Sequence, residues 1–254
     1  MAMPVSGVPT QTPAPQVPEL GSRRALGRFG RAVRLNRKAT VGSVLLLMFI
    51  LIALFPGVIA HDSPTEDAYP PQLGVSTAHL LGTNHYGQDL FAQVVYGTRN
   101  VLIIAFVVGL ATTTIAVLIG VAAAYLGGVT DSSLNVVTDV LLVIPIFPLL
   151  IVIAAYAHGG TTLVLIAAIT VTSWSYTARQ LRSQALTVRR RDFLEAARVR
   201  GERALYIIVV ELIPTMTSLL VAAFLTNALY AVLFAILVAD ILTALLDPRT
   251  RAER

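Results

Sequence analysis

Residues 100–130 read NVLIIAFVVGLATTTIAVLIGVAAAYLGGVT, with no charged side chain between Arg99 and Asp131. The apolar part, about Val101–Leu126, makes a helix of about 39 Å at 1.5 Å per residue. That exceeds the roughly 30 Å of a bilayer's hydrocarbon core. Gly127-Gly128 then supplies a helix stop. Four more apolar stretches flank it: Val41–Ala60, about Val136–Tyr156, about Thr161–Thr177 and about Leu212–Ala239. The whole chain agrees with this reading. Of its 254 residues 56% are hydrophobic and 13% charged, where a soluble domain carries roughly 25% charged residues. The sequence predicts an all-α polytopic membrane protein with about five spanning helices. Val41–Ala60 is too long and starts too late for a cleaved signal peptide.

Basic residues sort the loops. Residues 1–22 form a proline-rich tail, expected to be disordered. Residues 23–60 hold a basic segment, Arg23 to Lys38, and the first span. The N-terminal segment carries 7 basic residues and the 178–206 loop 8, against 1 in the 61–100 loop, which has four acids. The positive-inside rule places the two basic segments and the N-terminus in the cytoplasm and residues 61–100 outside. No recognition motif accompanies the charge, so nucleic acid is not an expected partner. Residues 101–240 form the transmembrane core, with a cytoplasmic loop over 179–211, and 241–254 a divergent tail.

That loop contains Arg191-Asp192-Phe193-Leu194-Glu195-Ala196-Ala197-Arg198-Val199-Arg200-Gly201, and later Glu211-Leu212-Ile213-Pro214. Asp192 can cap a short helix. Ala196 and Ala197 give it a thin wall, and Gly201 suits the left-handed turn that ends it. A second helix leads to Pro214. The expected product is a helical elbow suited to a groove on a soluble partner.

Several other residues have modest expected roles. Asp131 reads as a helix cap, Asp139 as an interfacial or Arg-paired acid, and Asn227 as a helix–helix hydrogen bond. Pro145 and Pro148 should kink the third span. His61, His79, His85 and His158 lack metal-ligand spacing and read as loop residues. The chain has no cysteine, so disulfides and thiolate sites are excluded. Neither G-x-S-x-G nor H-E-x-x-H is present, and no metal site is expected.

The elbow resembles the EAA loop of ABC importer permeases: E-A-A, three residues, Gly, nine residues, then I-x-L-P. Glu195-Ala196-Ala197, Gly201 and Pro214 hold the spacing. Ile213 replaces the usual Leu, and Glu211 the usual Ile. Leu81-Gly82-Thr83-Asn84-His85-Tyr86-Gly87-Gln88-Asp89 resembles the L-G-T-D-x-x-G-R-D signature of the C-type permease of dipeptide, oligopeptide and nickel importers, with Asn84 and Gln88 departing from it. Tyr96-Gly97-Thr98-Arg99 is similar to the Y-G-x-R that follows. Tyr125, Gly127, Gly128, Asp131 and Asp139 resemble the turn into the third helix, and Pro145, Trp174, Ala178, Arg179 and Arg182 continue the likeness.

The resemblance implies a type I ABC importer transmembrane domain in a bacterial inner membrane. It implies a second homologous permease, two cytoplasmic ATPases that use ATP and Mg, and an extracytoplasmic substrate-binding protein. The permease itself binds no cofactor and is no enzyme. The sequence agrees, since its only lysine, Lys38, belongs to no G-x-x-x-x-G-K-[ST] motif. Peptide is the implied substrate, with oligosaccharide or nickel as the alternative. The likeness read from motifs stops near Asn227, where a sixth span is usual. The chain is therefore expected to be one helix short and, as a shortened or frame-altered subunit, to transport poorly.

Overall fold

A computed structural model describes residues 36–156 and 162–246. The tail over 1–22, most of the basic segment, the His158 turn and residues 247–254 lie outside the described residues. The described residues form helices α1 (Arg37–Leu54), α2 (Pro56–Ile59), α3 (Leu90–Leu126), α4 (Gly128–Val143), α5 (Ile146–Tyr156), α6 (Thr162–Val188), α7 (Asp192–Val199), α8 (Ala204–Thr215) and α9 (Thr217–Leu246). No strand occurs among them, only one isolated bridge, Thr83 with Asp89. The chain divides into two units, residues 1–51 and 52–254. The first holds most of α1, an apolar helix of 18 residues, about 27 Å long. Everything that follows belongs to the second.

In the second unit α3 packs chiefly against α9 and α6. Small residues let α3 and α6 approach closely. Gly120 faces the backbone of Ala178, and a side chain at 120 would run into the Ala178 carbonyl. Gly120 lies in a π-helical turn, Val117–Val121, within α3. A second π turn, Ile207–Leu212, lies within α8. Both contribute to one core, where Val121 and Leu212 are fully buried beside Leu181, Leu194 and Trp174. A separate apolar cluster joins Val108, Leu150, Ile169 and Ala231. Asn227 ties three helices together. It accepts from Thr177 Oγ1 at 2.9 Å and donates to Thr113 Oγ1 at 3.0 Å. All three residues are buried.

The span boundaries differ from the sequence expectation along the chain: α1 covers Arg37–Leu54 rather than Val41–Ala60, and α3 begins at Leu90 rather than Val101. Among the described residues three helices are long and apolar enough to cross a membrane: α1, α3 and the Thr217–Val238 part of α9. The pair α4–α5 makes a fourth if counted as one span. It is bent by 75° at Ile144-Pro145, where proline removes a backbone donor. The expected span at Thr161–Thr177 is the first part of α6, which runs on unbroken through Arg179 and Arg182. The last span starts at Thr217, not Leu212, because Leu212 and Pro214 belong to α8 and the helix breaks at Met216.

Candidate functional site

The elbow is α7, the turns around it and α8. Residues 189–191 close the turn after α6, with Arg189 N–H donating to Ala185 O at 2.8 Å and Arg191 N–H to Val188 O at 3.0 Å. α7 then begins at Asp192, one residue earlier than a capping role for Asp192 requires. The N-cap is Arg191, and no side chain caps the helix. Asp192 and Glu195 instead occupy the first turn, where carboxylates complement the helix dipole.

The faces of α7 are unequal. Leu194 and Ala197 are fully buried in the core shared with Ile207 and Leu212. Glu195 and Ala196 are exposed, as are Phe193 and Val199, the last at 84%. The thin-walled outer face expected of two alanines is therefore Ala196 alone; Ala197 faces the core. Gly201 (φ +78°) ends the helix. Its N–H donates to Arg198 O at 2.9 Å, and Glu202 N–H donates to Ala197 O at 3.3 Å. This is a Schellman closure, in which a left-handed residue satisfies the last carbonyls. Nothing crowds Gly201, so its backbone angle alone makes glycine the favoured residue. Ile213 packs partly against the same core, and Pro214 lies in the last turn of α8.

Arginines fasten the elbow to the corner between α3 and α4. The Arg198 guanidinium lies 5.1 Å from the centre of the buried Tyr125 ring. Arg189 Nη1 donates to Ala124 O at 2.9 Å, satisfying a carbonyl at the end of α3. Gly127 (φ +71°) makes room for it, because a Cβ there would lie 2.9 Å from Arg189 Nη1. Gly128 opens α4. Arg182 Nε and Nη2 donate to Asp131 Oδ1 and Oδ2 at 2.6 and 2.7 Å. Asp131 is thus no cap, a place taken by Gly127. It is the anionic half of a two-pronged ion pair. Arg179 pairs with Asp139 further along the same two helices, and Pro145 lies at the bend beyond.

The Gly82–Asp89 segment sits apart, in the loop before α3. Asp89 caps α3, accepting from Ala92 N–H at 2.8 Å through Oδ1. Its Oδ2 lies 2.9 Å from His79 Nδ1. Burial pushes the Asp89 carboxyl up, but the Ala92 N–H and the His79 side chain outweigh this and hold it below the usual carboxylate range. Thr83 Oγ1 donates to Pro70 O at 2.8 Å and accepts from Leu73 N–H at 2.9 Å. Asn84 and Gln88, the two departures from the signature, bond to each other at 2.9 Å. At Gly82 and Gly87 the backbone carbonyls of Leu73 and Tyr69 pass too close for any side chain. Gly97 and the exposed Arg99 follow on α3.

Sequence reasoning missed two groupings here. The arginines Arg189 and Arg198 were read only as topogenic charge, and their targets on α3 are far away in sequence. His79 was read as a plain loop residue, yet it is buried, packs edge-on to Tyr69 (4.3 Å between ring centres) and meets Asp89 and Asp62.

The family model described as binding-protein-dependent transport system inner membrane component matches residues 116–250, more than half of the chain. The match covers the corner and the elbow, and runs past Asn227, where the likeness read from motifs stops. The oligopeptide transport system permease protein OppC of Mycobacterium tuberculosis (strain H37Rv) is 31% identical over 220 residues, covering 85% of this chain and 74% of the relative. The dipeptide transport system permease protein DppC of Bacillus subtilis is 31% identical over 202 residues (77% and 62%). That of Haemophilus influenzae is 28% identical over 193 (73% and 65%).

Proposed function

This chain belongs to the inner-membrane permease components of binding-protein-dependent transport systems, and from that premise we propose that it forms half of the translocation path of an ATP-driven peptide importer. It is a multi-pass membrane protein. The proposed assembly contains a second homologous permease, two cytoplasmic ATPases that bind ATP and Mg, and an extracytoplasmic protein that delivers substrate. The N-terminus and the elbow lie in the cytoplasm. Peptide is the substrate class suggested by the names of the relatives.

The observation that carries this reading is the two-sidedness of α7. Leu194 and Ala197 anchor it inward, while Phe193, Glu195, Ala196 and Val199 are offered outward. An amphipathic helix held this way suits a groove on a partner. Asp192, Gly201, Ile213 and Pro214 shape the elbow rather than touch the partner. On nucleotide binding the ATPases close, the docked elbow moves, and the helices attached to it switch the cavity between inward- and outward-facing states.

Gly201→Asp tests the assignment. A side chain forced into the left-handed turn costs up to about 1–2 kcal/mol, less for aspartate than for most residues, and the new carboxylate stands at the C-terminus of α7, where the helix dipole disfavours it. The membrane-inserted subunit is expected to persist but to lose its ATPase on co-purification. Recovery of an intact complex with ATP-coupled uptake would show that the elbow is not the docking element.

A further inference from the structure

We propose that Asp62, His79 and Asp89 bind a divalent transition-metal ion of the zinc type in the loop between α2 and α3. Their ligand atoms all lie within 4.8 Å of one another. Around a tetrahedral ion with bonds of about 2.0–2.2 Å two ligand atoms lie about 3.3–3.6 Å apart, so the widest separation has to close by up to about 1.2–1.5 Å, a movement that falls to the half-buried Asp62 side chain. His79 and Asp89 are 8% and 3% exposed, and Asp62 is half-buried.

Charge calls for a cation here. Two carboxylates surround one imidazole. Among the described residues Asp89 has no ion-pair partner but His79, and Asp62 has none. A divalent ion balances both carboxylates, whereas an imidazolium balances one. One nitrogen and two oxygens suit zinc or cobalt better than calcium, which takes six to eight oxygens. The neighbours are arranged to orient the ligands. Tyr69 Oη donates to Asp62 Oδ1 at 2.8 Å, and Ala92 N–H holds the Asp89 oxygen that does not face His79. Such outer contacts fix the ligands of metal sites. Coordination uses the Nδ1 lone pair of neutral His79. The proton shared with Asp89 Oδ2 leaves to solvent or moves to Nε2 as the ion enters. No bond to carbon changes and no electron is transferred. The bound ion would staple the loop to the N-terminus of α3, since Asp89 also caps that helix.

The test uses the untagged full chain in detergent, titrated with Co²⁺ and then Zn²⁺. The expected result is one equivalent of Co²⁺ with a visible d–d band, displaced by Zn²⁺, and a rise in unfolding temperature on adding Zn²⁺. Asp62→Asn and His79→Gln are each expected to weaken binding more than 10-fold, and Tyr69→Phe by about 10-fold. His85→Gln, at an exposed position, should bind as the parent does. If His79→Gln does not fold, the half-buried Asp62→Asn carries the test. A parent chain that shows no saturable Co²⁺ band, or an Asp62→Asn variant that binds as tightly as the parent, overturns the proposal and leaves a hydrogen-bonded clamp.

Discussion

Two glycines on α3 invite the same substitution with opposite results. At Gly120 an alanine Cβ would lie 3.1 Å from both the carbonyl carbon and the Cα of Ala178, and closer still to its oxygen. All three atoms are backbone, so no flexible side chain can yield. Carbon atoms in contact prefer about 3.5–4.0 Å, so α3 and α6 must part by about 0.4–0.9 Å. Overpacking of this kind costs about 1–3 kcal/mol. A helix-propensity gain of about 0.5–1 kcal/mol for alanine over glycine offsets part of this. Gly120→Ala should therefore lose about 0–2.5 kcal/mol net. At Gly97 nothing lies within 4 Å of the added Cβ, so only the propensity term acts, and Gly97→Ala should gain about 0.5–1 kcal/mol. Trp174, the single tryptophan, shares the buried core with Ala178 and reports unfolding in mixed micelles by its fluorescence. A Gly120→Ala chain stabilised as much as Gly97→Ala, with unshifted Trp174 emission, would refute the close crossing of α3 and α6.

Double-mutant cycles should separate the two ion pairs between α4 and α6. The Asp131–Arg182 pair, with side chains 18% and 25% exposed, should show a coupling of about 1–3 kcal/mol; Asp139–Arg179, at 62% and 48%, should fall below about 1 kcal/mol, and equal values would contradict the geometry. Asn227→Leu removes two interhelical hydrogen bonds worth about 0.6 kcal/mol each, and up to about 1.7. A stability loss of about 1–2 kcal/mol is expected by the same fluorescence assay, and no loss would place Asn227 outside the network.

What could be read from sequence follows the physics of each signal. The charge-free run after Arg99 declares a membrane helix by composition alone, and α3 is indeed one of the apolar helices. The Gly201 turn is legible because a left-handed end has a strong residue preference. Contacts between distant segments leave no such trace. Asp131 has the composition of a cap, and only the fold brings Arg182 to it. Asp192 precedes an obvious helix, yet the hydrogen bonds start the helix at Asp192 itself and so leave it no capping place. The α4–α5 bend could be read from Pro145, but its 75° angle could not. Spacing rules for metal ligands look for neighbours on one helix. Asp62, His79 and Asp89 come from three points of an irregular loop and escape them.

The structure also changes how the elbow is expected to move. Rigid continuity with both flanking spans is the simplest expectation, but the two sides differ. Toward α6 the link is a three-residue turn closed by two backbone bonds, and Arg189 and Arg198 lash it to α3. Toward α9 the chain passes through a π turn, Pro214 and a break at Met216 (φ −97°, ψ 8°). Breaks in the helical ladder are where bending concentrates. On the proposed reading a pull on α7 therefore carries α6 and the α3–α4 corner as one body, while the joint before α9 flexes. The absence of cysteine permits paired spin labels without background. Leu205 on α8 and Val129 on α4, 72% and 83% exposed, should keep one narrow distance distribution with and without ATP in the assembled complex. Leu205 paired with Leu229 on α9 should shift by several ångströms, on the scale of helix displacements in switching proteins. A Leu205–Val129 distance that changes as much as Leu205–Leu229 would mean that the arginines do not hold the corner, and that the elbow moves free of α3.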